Sequence, residues 1–193
     1  FEKALYKQFF KASANGKELA IRSERFSYVL EFIEFEKNIM KKEEIGKKDM
    51  NNVFDEEIRV MEIIKNINAY KRAVSNLFRI SRTVGRVRDK AAGKQIDEIV
   101  SHKEFKTEPL SLKASESLLL AKYLECRLKG NYKEAVDHCK QRFELISGHP
   151  EIFKDFLLEP GLDSQEFLIS SYLSLKNFKE AKRTFSAAKK TFL

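Results

Sequence analysis

The sequence predicts an all-α protein, and three observations support this fold class. Apolar residues recur at spacings of three and four over most of the 193 residues, as they do along one face of a helix. Only 7 Gly and 3 Pro interrupt the chain, too few for a turn-rich β-sandwich or barrel. No segment alternates apolar and polar residues between hairpin turn signals, so we expect no β-strands.

The first fifty residues predict two helices and then a loop. We expect a short helix over residues 1–13 that ends at the turn signal Asn15-Gly16. A longer helix should follow over 17–42, because apolar residues recur there at helical spacing. The polar stretch 43–52 predicts a loop.

The segment from 55 to about 92 predicts one long amphipathic helix. Its apolar stripe comprises Val60, Ile63, Ile67, Tyr70, Val74, Leu77, Ile80 and Val84. Gly85 is the weak point, because glycine costs about 1 kcal/mol relative to alanine inside a helix. A kink or a split at Gly85 therefore stays open. A coiled coil is the rival interpretation of the stripe, but its change of phase near Ala73 favours packing within a helical array.

The pattern predicts five further helices after a loop over 102–109. They cover residues 112–129, 132–146, 151–158, 164–175 and 178–192. Only two or three residues join the members of each pair. Connections this short require the paired helices to lie antiparallel.

The chain nearly repeats one phrase at two helix junctions. The phrase is LKGNYKEA at Leu128–Ala135 and LKNFKEA at Leu175–Ala181. Gly130 can take the left-handed conformation that ends a helix, and Asn131 and Asn177 can cap the helix that follows. We expect Tyr132 and Phe178 to pack back over the turn. Ala135 and Ala181 are small enough for close helix crossings.

These phrases resemble the helix–turn–helix junction of the tetratricopeptide repeat family over residues 112–193. The second copy matches further at Leu168, Tyr172, Phe185 and Ala188, whereas the first departs at Lys122 and Arg142. The copies lie 46 residues apart where the family repeats every 34, which implies an insertion near 148–162. The hairpin predicted over 3–28 is a candidate for a further, diverged unit.

The resemblance implies a solenoid-like array of antiparallel helical hairpins and a non-catalytic function. In this arrangement an N-terminal helical region, 1–101, precedes the tetratricopeptide-like hairpins of 112–193. Such arrays bind proteins or peptides on a surface formed by the first helices of the hairpins. The corresponding candidate partner-binding residues are Leu120, Leu124, Arg127, Glu166 and Ser170. These residue types do not suit the Lys and Asn clamp with which some family members grip a terminal carboxylate.

A basic segment over 71–94 suggests a second function. It carries eight Lys and Arg against the single acid Asp89, so it holds most of the net charge of +8. The spacing places five of its cations on one helix face, a basic rail made of Arg72, Arg79, Arg82, Arg86 and Lys90. Such a rail can be a solvated face, a contact for an acidic protein, or a nucleic-acid contact. No aromatic residues for base stacking are interleaved with it, which weakens the nucleic-acid alternative.

The sequence shows no signature of catalysis, and we expect no cofactor or metal. The three histidines, His102, His138 and His149, are scattered, and no glycine-rich phosphate loop occurs. We expect Cys126 and Cys139 to be reduced core residues of a cytoplasmic protein, with a disulfide between them as the alternative. No apolar stretch is long enough to span a membrane. Because the chain starts without Met, we expect it to be a fragment or a processed product.

Overall fold

The computed structural model describes residues 2–42, 47–86, 90–153 and 158–192, and no strand occurs in those ranges. Their α-helices are α1 (Glu2–Arg22), α2 (Phe26–Lys42), α3 (Lys47–Val84), α4 (Lys90–Ser101), α5 (Leu112–Lys129), α6 (Tyr132–Gly148), α7 (Pro150–Phe153), α8 (Leu158–Ser174) and α9 (Phe178–Phe192). A short 3-10 helix, Lys103–Lys106, follows α4. The prediction of an all-α protein is confirmed.

The chain forms two compact units, Phe1–Lys65 and Asn66–Leu193. We call them unit 1 and unit 2. Unit 1 contains α1, α2 and the first half of α3, and unit 2 contains the rest. The division falls within α3, whereas the sequence suggested one at the polar loop between 101 and 112.

The turn predicted at Asn15-Gly16 is wrong, because α1 continues through both residues to Arg22. Gly16 instead lies where α1 approaches α2. A Cβ at this position would sit 2.5 Å from the ring of Phe32, so a larger residue would collide with that side chain. The glycine therefore permits close helix packing and does not mark a turn.

The actual turn between α1 and α2 has a regular hydrogen-bonded form. Glu24 adopts the left-handed conformation with φ 49°. The amide of Arg25 donates to the carbonyl of Ala20 at 2.7 Å, and the amide of Glu24 donates to that of Ile21 at 2.9 Å. This pair of bonds is a Schellman motif, which satisfies carbonyls left free at a helix end.

The two junctions of the repeated phrase have the same turn. Gly130 and Lys176 are left-handed, with φ 83° and 58°. The amides of Asn131 and Asn177 donate to carbonyls five residues earlier, at 2.7 and 2.9 Å. Asn177 also caps α9 through its side chain, but Asn131 makes no side-chain cap. The hairpins α1–α2, α5–α6 and α8–α9 thus share one turn motif.

The long helix is shorter at its C-terminal end than predicted. It begins at Lys47, so the loop predicted over 43–52 is wrong for residues 47–52, while 43–46 lie outside the described residues. It ends at Val84 because Gly85 takes the left-handed conformation with φ 65°. The split at Gly85, which the sequence left open, is therefore observed, and α4 is a separate helix.

A large apolar core lies in unit 2. Its buried members include Leu77, Ile96, Tyr123, Leu124 and Leu168. Along the chain α5 packs against α6, α6 against α8, and α8 against α9. The predicted insertion contains the short helix α7, whose Ile152 and Phe153 pack beside Ile146. The helix after it begins at Leu158, earlier than predicted, and residues 154–157 lie outside the described part.

The last helix, α9, buries fewer of its apolar side chains than the sequence predicts. Ala181 is buried against the core, but Phe178 and Phe185 are 66% and 60% exposed. The expectation that Phe178 packs back over the turn is wrong. Tyr132, at the corresponding position of α6, is half-buried.

Candidate binding groove

The five residues predicted to bind a partner differ in how far they are exposed. Leu124 is fully buried in the core of unit 2, so it offers no surface to a ligand. Its burial follows from the packing of α5, which meets the core on more than one side. Leu120 is half-buried at the edge of that core. Arg127 and Ser170 are half-buried and Glu166 is exposed; among described residues no hydrogen bond or ion pair joins any two of these three.

The basic rail is shorter than predicted. Arg72, Arg79 and Arg82 lie on α3 and are exposed. Because the helix ends at Val84, Arg86 and Lys90 do not continue its face, and the prediction of a five-residue rail is wrong for these two. The guanidinium of Arg86 lies 6.0 Å from the ring centre of Tyr132 and closely approaches Gly130. Arg86 therefore supports the α5–α6 turn.

A groove between α3 and α5 brings the remaining predicted residues together. This α3–α5 groove has a volume of about 730 Å³. Its cations are Lys71, Arg79 and Arg82, and its apolar floor is formed by Val74, Phe78 and Leu120. The sequence predicts Leu120 as a partner contact and Arg79 and Arg82 as part of the basic rail, and the structure places all three on one concave surface.

The three cations of the groove are available to a ligand. No acidic side chain in the described ranges forms an ion pair with Lys71, Arg79 or Arg82. Two of them are arginines, whose planar guanidinium can bind a carboxylate through two parallel hydrogen bonds. The groove can therefore attract and orient an anionic group.

One acid, Glu116, also lines the groove, but its negative charge is balanced by a buried arginine. The buried Arg142 donates to Glu116 Oε1 from Nε at 2.7 Å and from its terminal nitrogen at 2.6 Å. Its other terminal nitrogen donates to Ser164 Oγ at 2.7 Å. Arg142 thus links α5, α6 and α8 and leaves the field of the groove positive.

The apolar floor is anchored in the core. The ring of Phe78 lies 6.3 Å from that of Phe167, which in turn stacks on Tyr123 at 4.8 Å. Val74 and Leu120 pack against the same core. A floor held in this way presents a fixed apolar surface, and its aromatic ring is already engaged within the protein.

A second concave surface lies on the other side of α3. This α3–α4 cleft of about 630 Å³ contains Arg72 together with Glu98, His102 and Glu104. The guanidinium of Arg72 is 3.9 Å from the carboxylate of Glu104. Since acids and bases face each other here, the cleft lacks the excess of positive charge found in the α3–α5 groove. Arg79 borders both surfaces.

Within the parts of the chain that the structure describes, no three His, Cys, Asp or Glu side chains are placed to hold a metal ion. Cys126 and Cys139 are buried and free, as predicted, and the alternative disulfide is not formed. Burial raises the pKa of each thiol to about 12. Thiols that stay protonated are poor nucleophiles and poor metal ligands. None of the described helices is long and apolar enough to cross a membrane.

Comparison with known proteins adds no family to these observations. No protein-family model matches the chain, and no curated protein or solved structure matches it. The tetratricopeptide resemblance of residues 112–193 therefore remains a prediction from the residues that carry it.

Proposed function

We propose that this chain is a non-catalytic scaffold that binds a protein or peptide in the α3–α5 groove. The observation that carries the proposal is the combination of Lys71, Arg79 and Arg82 with an apolar floor. Interfaces commonly combine an apolar centre with a polar rim, and these residues have that arrangement. The cations would steer an acidic partner and fix its register.

We further propose that the hairpins form a solenoid-like, antiparallel array with tetratricopeptide-like units at the C-terminal end. The shared turn of α1–α2, α5–α6 and α8–α9 supports this proposal. So does the stepwise packing of α5, α6, α8 and α9. The two free, buried thiols suit a reducing compartment, so we place the protein in the cytoplasm.

Nucleic-acid binding by the basic segment 71–94 is the second candidate, favoured by the three unpaired cations. The groove fits it less well. A single-strand site offers aromatic rings on which bases stack, whereas the ring of Phe78 is packed against Phe167. Three phosphate contacts alone would also give binding that weakens steeply with salt.

The test is a selection of binding peptides from a random display library on the immobilised chain. We expect the selected peptides to bind the native chain and to lose at least about tenfold in affinity for a Lys71→Glu/Arg82→Glu variant. The matched control is Arg72→Glu, which reverses an exposed charge of α3 outside the groove and should leave the affinity unchanged.

Two outcomes would contradict the proposal. The first is a set of selected peptides that bind the groove variant as well as the native chain. The second is tight binding of single- or double-stranded DNA or RNA at about 150 mM salt that the groove variant abolishes, which would favour the nucleic-acid function.

A further inference from the structure

We infer that the α3–α5 groove takes an extended acidic segment of about five residues, with one apolar side chain between two acidic ones. The inference rests on the proposed function and specifies its ligand. It follows from the spacing of the cations, from the position of the apolar floor, and from the compensation of Glu116.

The cations fix the spacing of the acidic positions. Lys71 and Arg79 are eight residues apart on α3, which corresponds to about 12 Å along the helix axis. An extended chain advances about 3.3 Å per residue, so acids four positions apart match this distance. Arg82 lies about 4.5 Å beyond Arg79, close enough for both guanidinium groups to bind the second acid or its neighbour.

The floor fixes the position of the apolar side chain. Val74 and Phe78 lie one helical turn apart, between the levels of Lys71 and Arg82, and Leu120 faces them from α5. A residue midway between the two acids would therefore point its side chain at these three. Alternate side chains of an extended segment point to opposite sides, so the two acids and the midpoint residue share the side that faces the groove.

Glu116 would oppose an acidic ligand if its charge were free. Two nitrogens of Arg142 contact Glu116 Oε1, and the arginine side chain is only 3% exposed. The charge of Arg142 offsets that of the carboxylate at this wall, while the three cations of the groove have no ion-pair partner among the described residues. A basic segment would face these cations without compensation, so charge selects an acidic occupant.

The experiment uses four labelled synthetic pentapeptides with glycine flanks, measured by fluorescence anisotropy against the whole chain. The probe peptide has Glu at positions one and five, Leu at position three, and Ser elsewhere. The second peptide has Lys in place of both Glu, and the third has Ser in place of Leu. The fourth keeps Leu at position three and has its two Glu moved to positions two and four.

We expect the probe peptide to bind at least about tenfold more tightly than each of the other three. Its affinity should fall about tenfold or more with Lys71→Glu/Arg82→Glu and stay the same with Arg72→Glu. It should also weaken when salt is raised, since exposed charges carry part of the binding. As a control, circular dichroism should show that both variants keep their helices.

Equal binding of the probe and the Lys peptide, or an unchanged affinity for the groove variant, would overturn the inference. The outcome for the proposed function can be told apart from the outcome for this inference. If library-selected peptides depend on the groove but lack the acidic spacing, the scaffold function stands and the ligand class is wrong. If no selected peptide depends on the groove, both are wrong.

Discussion

Each unit has a buried, ion-paired charge at the same position of a helical hairpin, and the two charges have opposite signs. Glu36 in α2 follows the left-handed residue Glu24 by twelve positions, and Arg142 in α6 follows Gly130 by twelve. Both are almost fully buried. The shared turn thus brings one position of the second helix against neighbouring helices, and a charge is accommodated there because a partner meets it.

The two buried charges have different partners, and only the partner in unit 2 lines the α3–α5 groove. Glu36 accepts hydrogen bonds from Ser13 at 2.6 Å and from Lys17 at 2.9 Å, and Lys17 also binds Glu56 of α3 at 2.6 Å. This ionic network joins three helices of unit 1. In unit 2 the partner is Glu116, which lines the α3–α5 groove. The same hairpin position thus joins three helices in unit 1, whereas in unit 2 it balances an acid that lines the candidate binding groove.

The largest expected effect is the loss of Arg142. Arg142→Met should reduce the free energy of unfolding of unit 2 by about 3–5 kcal/mol, because Glu116 then carries an unpaired, largely buried charge. Glu36→Gln in unit 1 should cost less, about 1–2 kcal/mol, because Lys17 keeps Glu56. Urea unfolding with pulse proteolysis, which reports which unit is cut, measures both.

The double variant Glu116→Gln/Arg142→Met is the control for the ion pair. It should recover most of the stability lost in Arg142→Met, since no unpaired charge remains. Equal losses for Arg142→Met and Glu36→Gln, or no recovery in the double variant, would contradict this view of the two pairs.

The next largest effect distinguishes the roles of two leucines of α5, Leu124 and Leu120. Leu124→Ala should reduce the free energy of unfolding by about 2–5 kcal/mol, because it leaves a cavity in a closed core. Leu120→Ala should cost less stability, since its side chain lies at the core edge, but it should weaken peptide binding. Thermal unfolding and peptide anisotropy of both variants check this. Loss of binding in a stable, folded Leu124→Ala protein would show that Leu124 reaches the ligand after all.

Alkaline pH should weaken unit 2 before unit 1. Burial raises the pKa of the Cys139 thiol from 9.0 to about 12. An unfolded chain loses this proton near pH 9 while the folded chain keeps it, so stability present below pH 9 is lost as the pH rises towards 12. At about pH 10.5 the loss should reach about 2 kcal/mol.

In unit 1, the contribution of Lys17 to folding stability persists to higher pH. Burial alone would lower the pKa of Lys17, but hydrogen bonds to Glu56 and Glu36 outweigh it and raise the pKa above 10.5. The resulting stability is present below 10.5 and is lost only as the pH rises through the higher, folded value. Pulse proteolysis between pH 8 and 11 should therefore cut unit 2 first, and Cys139→Ala should reduce the difference. Earlier cleavage of unit 1 would refute this order.

The smallest expected changes in stability come from substitutions in the shared turns. Gly130→Ala should cost about 1 kcal/mol, because alanine is strained at φ 83° and its Cβ would meet the side chain of Arg86. Lys176→Gly should stabilise by about 0.5–1 kcal/mol, since it relieves a left-handed non-glycine residue. Urea denaturation measures both changes. Destabilisation by Lys176→Gly would mean that its side chain contributes more than the backbone strain removes.

The fold class and most helices follow from local patterns, because amphipathic periodicity directly records which face is buried. The errors arose where tertiary packing overrode a local signal. Asn15-Gly16 has the composition of a turn, yet Gly16 serves a close contact with Phe32 that no local pattern reveals. The true turn at Glu24 carries no glycine or asparagine at its left-handed position, so its sequence gives no signal.

The candidate site was predictable only in part. Periodicity showed that Leu120 and the arginines of α3 lie on helix faces, but it could not show that α3 and α5 line one groove. The departure of Arg142 from the tetratricopeptide pattern did provide a signal. An arginine where a small core residue is expected implies a buried acid nearby, and that acid is Glu116.

An NMR titration of the isotope-labelled chain with the probe peptide tests directly whether the α3–α5 groove is the binding site. Binding in the α3–α5 groove predicts the largest shift changes at Val74, Phe78 and Leu120, with little change at Arg72 or in unit 1. Changes centred on the α3–α4 cleft, or on α1 and α2, would show that the groove is not the binding site.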